Sequence, residues 1–136
     1  MNTPGAERPR VVVDTNVLVS AALTPRGNPA AVVQAVLDGR LVVVLTEAIL
    51  FEYAEVLHRP RFGLSAHDVD DLLAFLETCG HFVRCVASVD PLPDESDRPF
   101  LDAAIAADAL IVTGNMKHFP KSDRVVTPAE LVAVHL

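Results

Sequence analysis

Asp14 closes an apolar run in VVVDTNVLVSA, Glu52 lies within TEAILFEYAEVLHR, and Asp97 stands in PDESDRPFLDAAIAA. Carboxylates hold hard divalent cations through oxygen, and a cation so held activates water and stabilises charge on a phosphate. Each of the three also has an ordinary structural explanation. Asp14, followed by Thr15 and Asn16, suits a helix N-cap. Asp97 suits a helix start, where capping and the macrodipole favour negative charge. At about 100° per residue, Ile49, Leu50, Tyr53, Val56 and Leu57 share one helical face, with Glu55 nearly opposite and Glu52 at the edge of the stripe. Glu52 is thus either a boundary residue or a carboxylate able to lean over a sheet. The nearby Asp94, Glu95, Asp102 and Asp108 read as solvated, with Asp94 as a reserve ligand. Further on, IVTGN at 111–115 presents Asn115 from a Gly turn, for which a plain turn is explanation enough.

The elements that must position these residues alternate between strand-like and helix-like patterns. RVVVD at 10–14 reads as a short buried strand, 28–39 as a helix closed by Gly39, and LVVVL at 41–45 as a second strand. Thr46 is an N-cap for a helix through about His58, ended before Pro60. Ser65, with Asp68 three residues on, opens a helix toward Gly80. Residues 82–86 are a candidate third strand, and 87–96 form an acidic, proline-containing loop. A helix from Asp97 to Asp108, with Phe100, Leu101, Ala104 and Ile105 inward, leads into a strand at 109–113. RVV at 124–126 is a brief strand before Thr127, Pro128 and Glu130, which supply an N-cap, a first-turn proline and a capping-box acid. This alternation predicts a single α/β domain of three layers over 10–136, a central parallel sheet with helices on both faces, behind a flexible tail at 1–9. Such sheets bind ligands beyond the carboxyl ends of their strands, where the acids fall.

A chain of 136 residues can bury one core without disulfides or a structural metal. The hydrophobic share of 51% and mean hydropathy of +0.35 are high, yet no apolar run approaches the roughly 20 residues of a membrane span. The N-terminus lacks the apolar segment of a signal peptide, so the protein reads as cytoplasmic. Cys79 and Cys85 match no CxxC or zinc pattern and read as free, partly buried thiols. A formal charge of −7 excludes coating of nucleic acid by bulk electrostatics. Any RNA contact must be local. Arg59 and Arg61 follow the helix bearing Glu52, and Lys117, His118, Lys121 and Arg124 follow Asn115, so two basic loops are placed to flank one acidic pocket.

Taken together, DTNV at 14–17, the glutamate in the helix after the second strand, D-x-x-F-L-x-x-A at 97–104 and IVTGNMKHFP at 111–120 resemble the ordered acidic motifs of the PIN domain. HRPRF at 58–62 is similar to the branch assigned to toxins of toxin–antitoxin pairs, relatives of VapC. The resemblance implies a Mg²⁺- or Mn²⁺-dependent endoribonuclease in which Asp14, Glu52 and Asp97 match the three main acidic positions. Asn115 falls where many relatives carry a fourth Asp, which puts the second metal site in question because an amide brings no charge. It further implies an RNA substrate, a cognate antitoxin and a homodimer or higher oligomer. Asn16, Arg59, Arg61 and Lys117 are then the candidate substrate contacts. Two alternatives stay open: a catalytically weak RNA- or protein-binding module, and an aspartate-dependent phosphatase. DTNV resembles the haloacid-dehalogenase motif too, but Asn16 stands where that chemistry needs an acid.

Overall fold

In the computed structural model, which describes residues 8–136, the valine runs of the sequence become the centre of a parallel sheet. Strand β1 (Arg10–Val13) is flanked by β2 (Val42–Leu45) and β4 (Leu110–Val112), with β3 (His81–Phe82) and β5 (Val125–Val126) at the edges in the order β3-β2-β1-β4-β5. All four pairings are parallel, in registers such as Arg10↔Val42 and Val12↔Ile111. Successive strand residues point to opposite faces, yet Val11, Val12 and Val13 are all buried, so β1 is covered on both sides. The cover comes from α1 (Thr15–Leu23), α2 (Asn28–Leu37), α3 (Glu47–Leu57), α4 (Ala66–Cys79), α5 (Arg98–Ala107) and α6 (Pro128–His135). Helix α5 lies on β1, β2 and β4, while α1 packs with α2 and α3, and α4 with α3.

The helix boundaries follow their expected caps. Thr46 accepts from the Ile49 amide, Ser65 from Asp68, and Thr127 forms a complete capping box with Glu130. Gly39 ends α2 at φ +77°, a backbone region that side chains disfavour.

Two expectations change. The third strand covers His81–Phe82 rather than 82–86, because its partner β2 stops at Leu45, whose carbonyl accepts a last bond from the Val83 amide. Ile105, expected inward, is 46% exposed on α5. The expected tail at 1–9 lies outside the described residues up to position 7; at its end Arg8 donates to the Gly39 carbonyl and the Pro9 carbonyl accepts from Val42.

The turn from α4 into β3 is tight. A Cβ at Gly80 would press on the Leu45 side chain and stand 2.6 Å from the Leu76 carbonyl oxygen, which is backbone. Gly80→Ala is expected to lower stability by about 1–3 kcal/mol, measured by urea denaturation.

Candidate functional site

Asp14 follows β1 directly, and its backbone amide donates to the Val112 carbonyl at 2.9 Å, so the acid is fixed where β1 and β4 end side by side. Its residue is 4% exposed. Although it occupies the N-cap position of α1, its side chain makes no capping hydrogen bond. Oδ2 instead accepts from the Thr113 hydroxyl at 2.8 Å, and Thr113, just beyond β4, is fully buried.

Glu52 is half-buried on α3 and accepts a hydrogen bond from the Thr15 hydroxyl, one residue past Asp14. The next residue, Tyr53, is buried and donates to the Val13 carbonyl, fastening α3 to the end of β1. Glu55 is exposed and pairs with Arg59 at 3.3 Å, as the helical phase requires.

Asp97 ends a 3₁₀ turn over Glu95–Asp97 and heads α5, again with no side-chain capping bond. Its side chain is 14% exposed, and its Oδ2 is buried without a hydrogen-bond partner. His118 Nδ1 lies 3.6 Å from that oxygen. Burial pushes the Asp97 carboxyl up to about 6, the charges of Asp14, Asp94 and Glu52 push the same way, and His118 offsets part of the rise. Burial also raises Asp14, opposed by Thr113, His118 and the Thr15 and Asn16 amides. The Tyr53 hydroxyl is raised by burial and then by Asp14 and Glu52.

The charges of Asp14 and Glu52 therefore both reach Asp97. Among the described residues, however, no three His, Cys, Asp or Glu side chains are gathered as a ready cation cage. Hydroxyls hold two of these acids, and the third keeps a bare oxygen.

Asn115 is exposed, its Oδ1 accepting from the Lys117 amide at 3.3 Å and its Nδ2 3.0 Å from His118 Nε2. Its backbone amide donates to Thr113 Oγ1 at 3.0 Å, so it meets Asp14 only through that hydroxyl. Asn16, two residues past Asp14, and Lys117, two past Asn115, are exposed. Arg59 is engaged with Glu55, and the Arg61 guanidinium lies 4.8 Å over the Phe62 ring. Arg124 belongs to the fold rather than to phosphate binding: it donates to the Ala104 and Ala109 carbonyls and to Asp108, at the amino end of β4.

Some acids were placed differently by sequence. Asp102 is 8% exposed, not solvated, and accepts from the Ser88 amide at 3.0 Å. Asp94, by contrast, is exposed as its solvated reading expects, and accepts from the Ser96 amide at 2.9 Å. Cys79 and Cys85 are free but exposed rather than partly buried. Thr15 and Thr113 escaped the sequence reading; the only local signal was their place directly after a strand-terminal acid and a strand.

The raised Asp97 carboxyl has a stability consequence. From the ordinary carboxylate range up to about pH 6 the ion-free fold holds a proton that the unfolded chain has released, so stability falls as pH rises through that window. Asp97→Asn is expected to remove this slope and to stabilise the ion-free chain at pH 7 by about 1 kcal/mol, less than the full shift because solvent still reaches the group. Denaturation at pH 4.5 and 7 for both forms measures it; equal slopes would contradict it.

The chain is similar to known proteins in both sequence and fold. A family model described as PIN domain matches residues 10–117. An uncharacterized protein of Methanocaldococcus jannaschii is 25% identical over 109 residues, covering 78% of this chain and 70% of its own. In fold, the chain resembles one in the crystal structure of VapBC2 from Rickettsia felis bound to a DNA fragment from their promoter, with a TM-score of 0.57 at 14% identity, covering 87% of this chain and 96% of that one.

Proposed function

Because the chain belongs to the PIN-domain family, whose members are generally nucleases, we propose that it is a metal-dependent endoribonuclease, the toxin of a toxin–antitoxin pair acting in the cytoplasm. What supports this reading is the buried Asp97 oxygen left without a hydrogen-bond partner, on a carboxylate that the charges of Asp14 and Glu52 both reach. Asp97 stands at an N-cap position without a capping hydrogen bond, so the ordinary explanation does not account for it. A hard cation suits this donor set, because it would neutralise mutually repelling carboxylates and coordinate the bare oxygen. Asp14, Glu52 and Asp97 would hold Mg²⁺ or Mn²⁺, which would supply an activated water and charge stabilisation at the scissile phosphate.

The chain's own groups divide the remaining work. Thr113 and Thr15 fix the carboxylates of Asp14 and Glu52 by donating to them, leaving their other lone pairs for a cation. Tyr53 keeps α3 in register with β1 so that Glu52 stays over the strand ends. Asn16 and Lys117 are the better-placed phosphate contacts, since Arg59 and Arg61 already have partners. The phosphatase alternative falls away with the family assignment.

No helix among the described residues is long and apolar enough to cross a membrane. The fold shared with the VapBC2 chain supports an antitoxin partner, and self-association is part of the same proposal. Co-expression with the adjacent reading frame should yield a complex in which RNA cleavage is suppressed; undiminished cleavage in that complex would rule out an antitoxin there.

A further inference from the structure

Asn115 stands where the family likeness expects an acid, but its carboxamide is used within its own turn. Oδ1 accepts from the Lys117 amide at 3.3 Å, which identifies the other end as the N–H donor. Nδ2 faces His118 Nε2 at 3.0 Å and can only donate, so that ring nitrogen accepts. In a neutral imidazole the remaining proton is then on Nδ1. Nδ1 lies 3.6 Å from Asp97 Oδ2, the buried oxygen without a hydrogen-bond partner, and a short approach would close that bond.

We propose that Asn115 and His118 form an orienting pair for Asp97: the carboxamide fixes the ring tautomer, and the ring N–H steadies the carboxylate for a cation. The inference rests on the assignment of Asp97 as a cation ligand under the proposed function. A carboxylate oxygen has lone pairs enough to meet both a cation and a donor. Outer partners of this kind commonly determine how well a ligating side chain performs. An ionised Asp at 115 has no N–H to give, so the departure from the family pattern acquires a use. His118 is a positioning residue, not a catalytic one.

Nitrogen-15 NMR of the metal-free chain, at a pH well above the ordinary imidazole range, reads the tautomer directly. The expected result is a bare Nε2 and a protonated Nδ1, with the bare Nε2 lost in Asn115→Asp; a wild-type ring protonated at Nε2 overturns the proposal. Calorimetry with Mn²⁺ gives the second readout. His118→Ala should weaken Mn²⁺ binding about 10–100-fold, and His118→Asn, whose side-chain N–H stands near the position of Nδ1–H, should recover most of it. Adding His118→Ala to Asp97→Ala should cost nothing further. Unchanged Mn²⁺ affinity in His118→Ala overturns the pair, and weaker RNA binding alongside it would make His118 a phosphate contact instead. If wild-type protein binds no Mn²⁺, the proposed function fails, and the tautomer alone decides whether the pair exists.

Discussion

Asp14→Asn and Asp97→Asn should each bind Mn²⁺ at least 100-fold more weakly than the wild type and cleave RNA correspondingly slowly, while keeping the fold. The magnitude follows from comparison with outer-shell changes, which already cost about 10–100-fold; loss of a charged ligand itself should exceed that. Retention of the fold is expected because both carboxyls are raised by burial, so an amide removes the cost of burying the charge and, at Asp97, the repulsion from Asp14 and Glu52 as well. The Thr113 hydroxyl can still donate to the carboxamide oxygen at 14. Calorimetry gives the affinity and thermal unfolding the fold. Unchanged Mn²⁺ binding in both variants would falsify the assignment of the pocket. The same experiment links metal to stability: Mn²⁺ at 100 times the wild-type dissociation constant should stabilise the wild type by about 2.7 kcal/mol, and each variant by about 0.4 kcal/mol at most.

Glu52→Gln is expected to reduce cleavage by about two orders of magnitude, again as a lower bound set by outer-shell losses, while Glu55→Gln should leave it within twofold. The two glutamates share a helix and differ in phase. Glu52 accepts from Thr15 beside Asp14, whereas Glu55 is exposed and pairs with Arg59. An exposed pair of that spacing contributes only about 0.3–0.5 kcal/mol, so its loss should not unfold the chain. Single-turnover rates with the same RNA compare the two, and similar rates would remove Glu52 from the site.

The local features of the fold were legible because local chemistry causes them. Thr46, Ser65 and Thr127 cap the helices they precede, and Gly39 takes the positive φ that ends α2. The phase of α3 separates buried Ile49, Tyr53 and Leu57 from exposed Glu55. Long-range pairing was not legible. Thr113 reaches Asp14 across 99 positions of sequence, and no periodicity encodes that contact. Asp102 looked solvated because its partner is the amide of Ser88 in an irregular segment, where the backbone rather than a pattern supplies the donor. The shortness of β3 depends on where β2 stops, and Ile105 lies on α5 beyond the strip that the sheet covers. For the site, the sequence supplied the residue types and order, but not the hydroxyls of Thr15 and Thr113 or the contact between Asn115 and His118.

Incubation of the purified wild-type chain with single-stranded RNA, in Mn²⁺ or Mg²⁺ and in parallel with EDTA, tests the central claim most directly. The carboxylate site predicts internal cleavage with either ion, none in EDTA, and recovery when excess metal is restored. Cleavage that persists in EDTA, or its absence at every metal concentration despite intact folding and RNA of varied sequence, would contradict it.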